Sequence, residues 1–144
     1  MNSSSQLQPV ANLAKHSERS AARKHGDVLR EFKQQQQQLE ELIKYRKQYF
    51  ENFQQAGKAG LSIVQVRDYQ LFLSRLDQAI AQQQQQVQQH QAVTRQSQAN
   101  WMDKRGKSKM LDKVVAGRLQ QEQQAAEKQE QRELEDRPHR VDAI

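Results

Sequence analysis

The feature that most constrains this 144-residue chain is a three-four spacing of its apolar residues, interrupted once, at Gly57-Lys58-Ala59-Gly60-Leu61-Ser62. Such spacing lays one narrow apolar stripe along a helix and makes a coiled-coil seam. Before the break the stripe holds Val28, Phe32, Gln35, Leu39, Leu42, Arg46, Tyr49, Phe53 and Ala56. After it the stripe holds Val66, Tyr69, Leu73, Leu76, Ile80, Gln83, Val87, His90, Thr94 and Trp101. The break carries its own signals. Gly57 stands where a helix stop is expected. Ser62 and Gln65 form a Ser-x-x-Gln capping box, and Leu61 with Val66 can staple the new helix start. Pro9 suits a first turn and Pro138 a stop. The expectation is a frayed N-terminus over 1–8, a helix over 9–56, a loop over 57–62, a helix over 63–136 and a flexible C-terminus over 137–144.

The two stripes agree with each other. Residues equidistant from the break lie opposite in a hairpin. That places Phe53 against Val66, Tyr49 against Tyr69, Leu42 against Leu76, Leu39 against Ile80 and Phe32 against Val87. Gln35 likewise meets Gln83. The predicted fold is all-α, a long two-helix antiparallel coiled-coil hairpin. Composition fits a seam better than a thick core: 35% of residues are hydrophobic, and mean hydropathy is -1.10. The same register sets Leu7 against Leu111, so the second helix should overhang without a partner after about Asp112.

Several function classes drop out. With no cysteine, there is neither a disulfide nor thiol chemistry. No apolar run approaches the ~20 residues that span a bilayer, and Met1 to Gln8 lacks a signal-peptide pattern, so the expected location is the cytoplasm. No catalytic or cofactor motif is visible. Gly106-Lys107-Ser108 lacks the upstream glycine of a phosphate loop. His16, His25, His90 and His139 are scattered, so no metal site is expected. The formal net charge is +6, and basic residues cluster at Lys15 to Arg30 and Lys104 to Arg118. An acidic protein partner fits these clusters. The alternative is a basic coiled-coil scaffold for nucleic acid or an anionic membrane surface. Nucleic acid is the weaker form of it, because no aromatics interleave the charges.

One stretch near the loop stands out. Gln38, Leu42, Tyr45 and Tyr49 follow helical spacing on the first helix. Phe72, Leu76, Ala79 and Gln83 follow it on the second. Hairpin pairing sets Tyr49 by Phe72, Tyr45 by Leu76, Leu42 by Ala79 and Gln38 by Gln83. The stripes merge into one apolar-aromatic face, either a wider core, closed by a third helix, or a partner-binding patch.

These residues also carry a likeness. Leu42-Ile43-Lys44-Tyr45-Arg46-Lys47-Gln48-Tyr49, the Gly57/Gly60 loop, and Tyr69 through Ile80 resemble the central signature of the FliJ family of flagellar type III export proteins. The resemblance implies a coiled coil similar to the rotor stalk of F- and V-type ATPases. It further implies a non-enzymatic, cytoplasmic component, peripheral to the inner membrane at the flagellar base. Its implied partners are the hexameric export ATPase, the cytoplasmic domain of the membrane export gate, and export chaperones that it helps recycle. By the same resemblance, gate contact falls to Gln38, Leu42, Tyr45, Tyr49, Phe72, Leu76 and Ala79. Gln83 is included by position, although related sequences can carry histidine there. ATPase contact is expected toward the two termini.

Overall fold

A computed structural model describes residues 3–142, with side chains through residue 137. Two helices account for nearly all of them: α1 (Ser3–Ala59) and α2 (Ile63–Asp142). They pack against each other as an antiparallel helical hairpin, and no strand occurs among the described residues.

The turn is tighter than the spacing suggested. Helix α1 runs through Gly57 to Ala59, so the loop is residues 60–62 rather than 57–62. Gly60 is the residue that leaves the helix. Its φ of 99° lies in the left-handed region, which a side chain disfavours. Its N–H donates to the Gly57 carbonyl at 3.3 Å, satisfying one of the last helical acceptors. The capping box forms as predicted. The Gln65 N–H donates to Ser62 Oγ at 3.2 Å, and the Ser62 N–H donates to Gln65 Oε1 at 3.0 Å.

The chain divides into a loop unit, Arg23–Ala99, and a terminal unit, Met1–Ala22 with Asn100–Ile144. In the loop unit the shielded positions are the predicted ones. Val28, Phe32, Gln35, Leu39, Leu42, Arg46, Tyr49, Phe53 and Ala56 on α1 are all withdrawn from full exposure. So are Val66, Tyr69, Leu73, Leu76, Ile80, Gln83, Val87, His90 and Thr94 on α2. Only Leu73 and Leu76 among the apolar ones are buried outright. Two helices cannot enclose more, because each seam residue keeps one flank in water. The glutamine layer is specific: Gln83 Nε2 donates to the Gln35 carbonyl at 2.9 Å and to Gln35 Oε1 at 2.8 Å. Thr94 Oγ1 turns back to the His90 carbonyl at 2.7 Å, the usual way a buried helical threonine satisfies its hydroxyl.

The terminal unit corrects three expectations. First, the N-terminus is helical from Ser3, with Pro9 inside the helix, so 1–8 is not a frayed segment as far as it is described. Glu122 holds it in place. Ser4 N–H donates to one of its carboxylate oxygens at 3.0 Å and Ser4 Oγ to the other at 2.6 Å. Helix α1 has no acidic residue in its own first turn, so α2 supplies the negative charge that a helix N-terminus favours. These two hydrogen bonds from Ser4, hydroxyl first, hold the Glu122 carboxyl below its ordinary range, with Arg118 adding a smaller push.

Second, α2 does not stop at Pro138 but continues to Asp142. A proline removes one backbone donor and tends to kink a helix, and the remaining bonds carry the chain past it. Residues 143–144, part of the segment expected to be flexible, lie outside the described residues. Third, pairing extends beyond Asp112: Val115 is buried and Glu122 is half-shielded. Every residue from 123 to 137 is exposed, so the overhang begins after Glu122. In the predicted register the turns of α1 before Leu7 extend the pairing to Val115, and the Glu122 side chain carries it further by reaching Ser4.

Candidate partner-binding face

The predicted face lies wholly within the loop unit, and its centre is an aromatic cluster. The Tyr49 ring sits 4.4 Å from Phe72 and 5.1 Å from Tyr69, centroid to centroid. Tyr45 meets Phe72 edge-on at 6.1 Å and Tyr49 at 6.4 Å. Phe53 continues the stack to Tyr69 at 5.1 Å. These tilted and edge-on geometries are the favoured ones for aromatic pairs, adding about 0.5–1.5 kcal/mol each beyond area burial. They lock the rings across α1 and α2 at the predicted register.

The eight residues take different places in it. Leu76 is buried and serves as the floor. Leu42, Tyr49, Phe72, Ala79 and Gln83 are partly shielded. Tyr45 is 52% exposed and Gln38 is exposed, so these two form the rim. Between them a shallow groove of about 400 Å³ is lined by Gln38, Glu41, Leu42, Tyr45 and Gln83. Gln83 reaches this groove while spending its amide on Gln35 in the seam, which fixes its orientation. Burial raises the Tyr49 hydroxyl above the ordinary tyrosine range, with Tyr69 and Tyr45 adding to the shift, so this ring stays neutral at physiological pH.

Sequence reasoning missed two features here. Arg46, expected only as a seam position, reaches across to Asp77 and meets both carboxylate oxygens. The Asp77 hydrogen bond raises the guanidinium pKa further, so Arg46 stays charged. Glu41 joins the groove wall as an acidic neighbour of Tyr45. Exposed apolar side chains also lie outside the predicted face: Ile43, Phe50 and Leu71 on the helices, with Ile63 and Val64 beside the turn. Their positions off the seam were readable, but each belongs to no stripe long enough to single out.

The terminal unit has a different chemistry. Arg105 lies over the Trp101 ring at 5.9 Å, and Lys107 pairs with Asp103 at 3.4 Å. An apolar groove of about 400 Å³ runs between Val10 and Leu13 on α1 and Met110 and Leu111 on α2, edged by Lys104 and Lys107. Among the described residues no group of three or more His, Cys, Asp or Glu is placed to hold a metal ion. No described helix is long and apolar enough to cross a membrane.

A family model for the flagellar FliJ protein matches residues 3–136, nearly the full length of the two helices. The chain belongs to the FliJ family. No curated protein and no solved structure matches it. Membership places this FliJ-family chain among the components of the flagellar protein export apparatus. The aromatic cluster falls inside the matched span, in the segment whose residues carried the likeness.

Proposed function

We propose that the chain is a coiled-coil stalk of the flagellar export apparatus, required for flagellum assembly and motility. In this reading the terminal unit engages the hexameric export ATPase. The loop unit contacts the cytoplasmic domain of the membrane export gate, and the chain helps recycle export chaperones. It works at the cytoplasmic face of the inner membrane, held there by its partners rather than by a span of its own. Any coupling to ATP hydrolysis passes mechanically or allosterically through the ATPase.

The observation that carries the reading is the half-exposed Tyr45 standing over Tyr49 and Phe72 on a helix surface otherwise rich in glutamine. Rigid aromatic groups beside a shallow groove are the usual anchors of protein interfaces. Gln38, Leu42, Ala79 and Gln83 frame the anchor, and Leu76 supports it from below.

The test is a Tyr45→Ala/Phe72→Ala double variant measured against the purified gate domain. Affinity should fall at least tenfold, about 1.4 kcal/mol, while far-UV circular dichroism keeps most of the helix signal and ATPase binding persists. Wild-type gate affinity and normal swimming in that variant would remove the face from the proposal.

A further inference from the structure

We propose that a second copy of this chain pairs with the exposed side of α2 in the terminal unit, antiparallel and centred on Gln120. The starting point is a stripe on α2 that α1 does not cover. Gly106, Lys109, Lys113, Ala116, Gln120, Gln124, Glu127, Gln131 and Leu134 recur at three- and four-residue steps, and all are exposed. This is coiled-coil spacing on a solvent face. It continues straight into the overhang, which the chain's own α1 leaves without a neighbour.

The occupant is read from the charges. In an antiparallel pair of identical helices, residues equally distant from the two-fold axis lie side by side. With the axis at Gln120, Lys113 mirrors Glu127, Asp112 mirrors Lys128, Arg105 mirrors Glu135 and Asp103 mirrors Arg137. No charged residue between Asp103 and Arg137 mirrors a like charge. The basic side of the axis is thus complementary to the acidic side, and the sign reversals at Asp103 and Asp112 are met by those at Arg137 and Lys128. The shapes agree as well. Leu134, 60% exposed, mirrors Gly106, around whose Cβ position the protein leaves open space. An unrelated acidic helix could satisfy the lysines, but it would have no reason to match both reversed pairs.

Exposed ion pairs are individually weak and screened by salt. The association is therefore expected to be weak at physiological salt and stronger near 50 mM, within the roughly tens-of-millimolar range where the Debye length exceeds 10 Å. Sedimentation velocity on the full chain should show the weight-average mass rising above 16.8 kDa with concentration, and less so in high salt. Lys113→Glu and Glu127→Lys should each weaken the dimer at least tenfold, and the combined Lys113→Glu/Glu127→Lys variant should restore it. The chain has no cysteine, so Gln120→Cys should oxidise to a covalent dimer across the axis. Lys109→Cys should not, since its copies would stand roughly 33 Å apart at 1.5 Å per residue. A monomer mass up to millimolar concentration would overturn the proposal. So would a dimer indifferent to both single swaps, or equal oxidation at positions 109 and 120.

Discussion

The loop unit and the terminal unit follow the same three-four spacing with different side chains. In the loop unit the seam is filled by Tyr49, Phe53, Tyr69, Leu73 and Leu76, with Phe72 flanking it and aromatic rings in contact across it. In the terminal unit the most enclosed residues are small or polar: Ala11 and Ser108 at 1% exposure, Ser4 at 5% and Val115 at 6%. Leu73 and Leu76, far larger and more apolar, are no better shielded at 8% and 7%. Burial in a two-helix seam is set by position. Hydrophobicity sets what that burial is worth. Large rings gain area and aromatic geometry, whereas Ala11 and Ser108 gain little area but take up so little space that they end almost fully covered. The loop unit should therefore be the firmly zipped part, and the terminal unit should depend on polar ties such as Ser4 to Glu122.

Removing the packing of the loop unit should erase the contrast. Leu73→Ala is expected to cost about 2–4 kcal/mol, read as earlier urea unfolding followed by circular dichroism and faster amide exchange around Leu39 to Ile80. Overfilling the terminal unit should expose it from the other side. Ser108→Leu forces a large side chain into a fully covered small-residue site and should cost about 1–3 kcal/mol, with exchange accelerating near Ala11. A Met110→Leu control, at an exposed position, should leave exchange unchanged. Smaller effects belong to the turn. Ser62→Ala removes the capping hydroxyl and should cost about 1 kcal/mol. Gly60→Ala, at positive φ, should cost a similar amount, again about 1 kcal/mol.

The smallest effect is a pH dependence. The Glu122 carboxyl is held below its ordinary range in the folded chain, so its contribution is complete above the unfolded value of about 4.3. That contribution is lost as pH falls through the lowered folded value. Acid should loosen the first turns of α1 before the loop unit. Glu122→Gln should abolish that step while leaving the aromatic cluster intact. Amide exchange at Ser4 to Ala11 across pH 3–6 would show it. An unchanged acid profile in Glu122→Gln would assign the N-terminal order to packing instead.

The sequence alone determined the two helices, the capping box at Ser62 and Gln65, and the register that sets Tyr49 on Tyr69 and Gln35 on Gln83. Periodicity is a local property that repeats, and two stripes matched about one glycine break leave a single pairing. The aromatic face was legible for the same reason, since Tyr45 and Phe72 are apolar at positions outside the seam. Only the tertiary structure decided where the pairing ends, that α1 begins at Ser3 and passes through Pro9, and that Arg46 leaves the seam for Asp77. Those outcomes depend on one helix completing the other: Glu122 supplies a negative charge that the first turn of α1 lacks, and Asp77 supplies a partner for a guanidinium. Such ties join residues far apart in the chain, and no local pattern announces them.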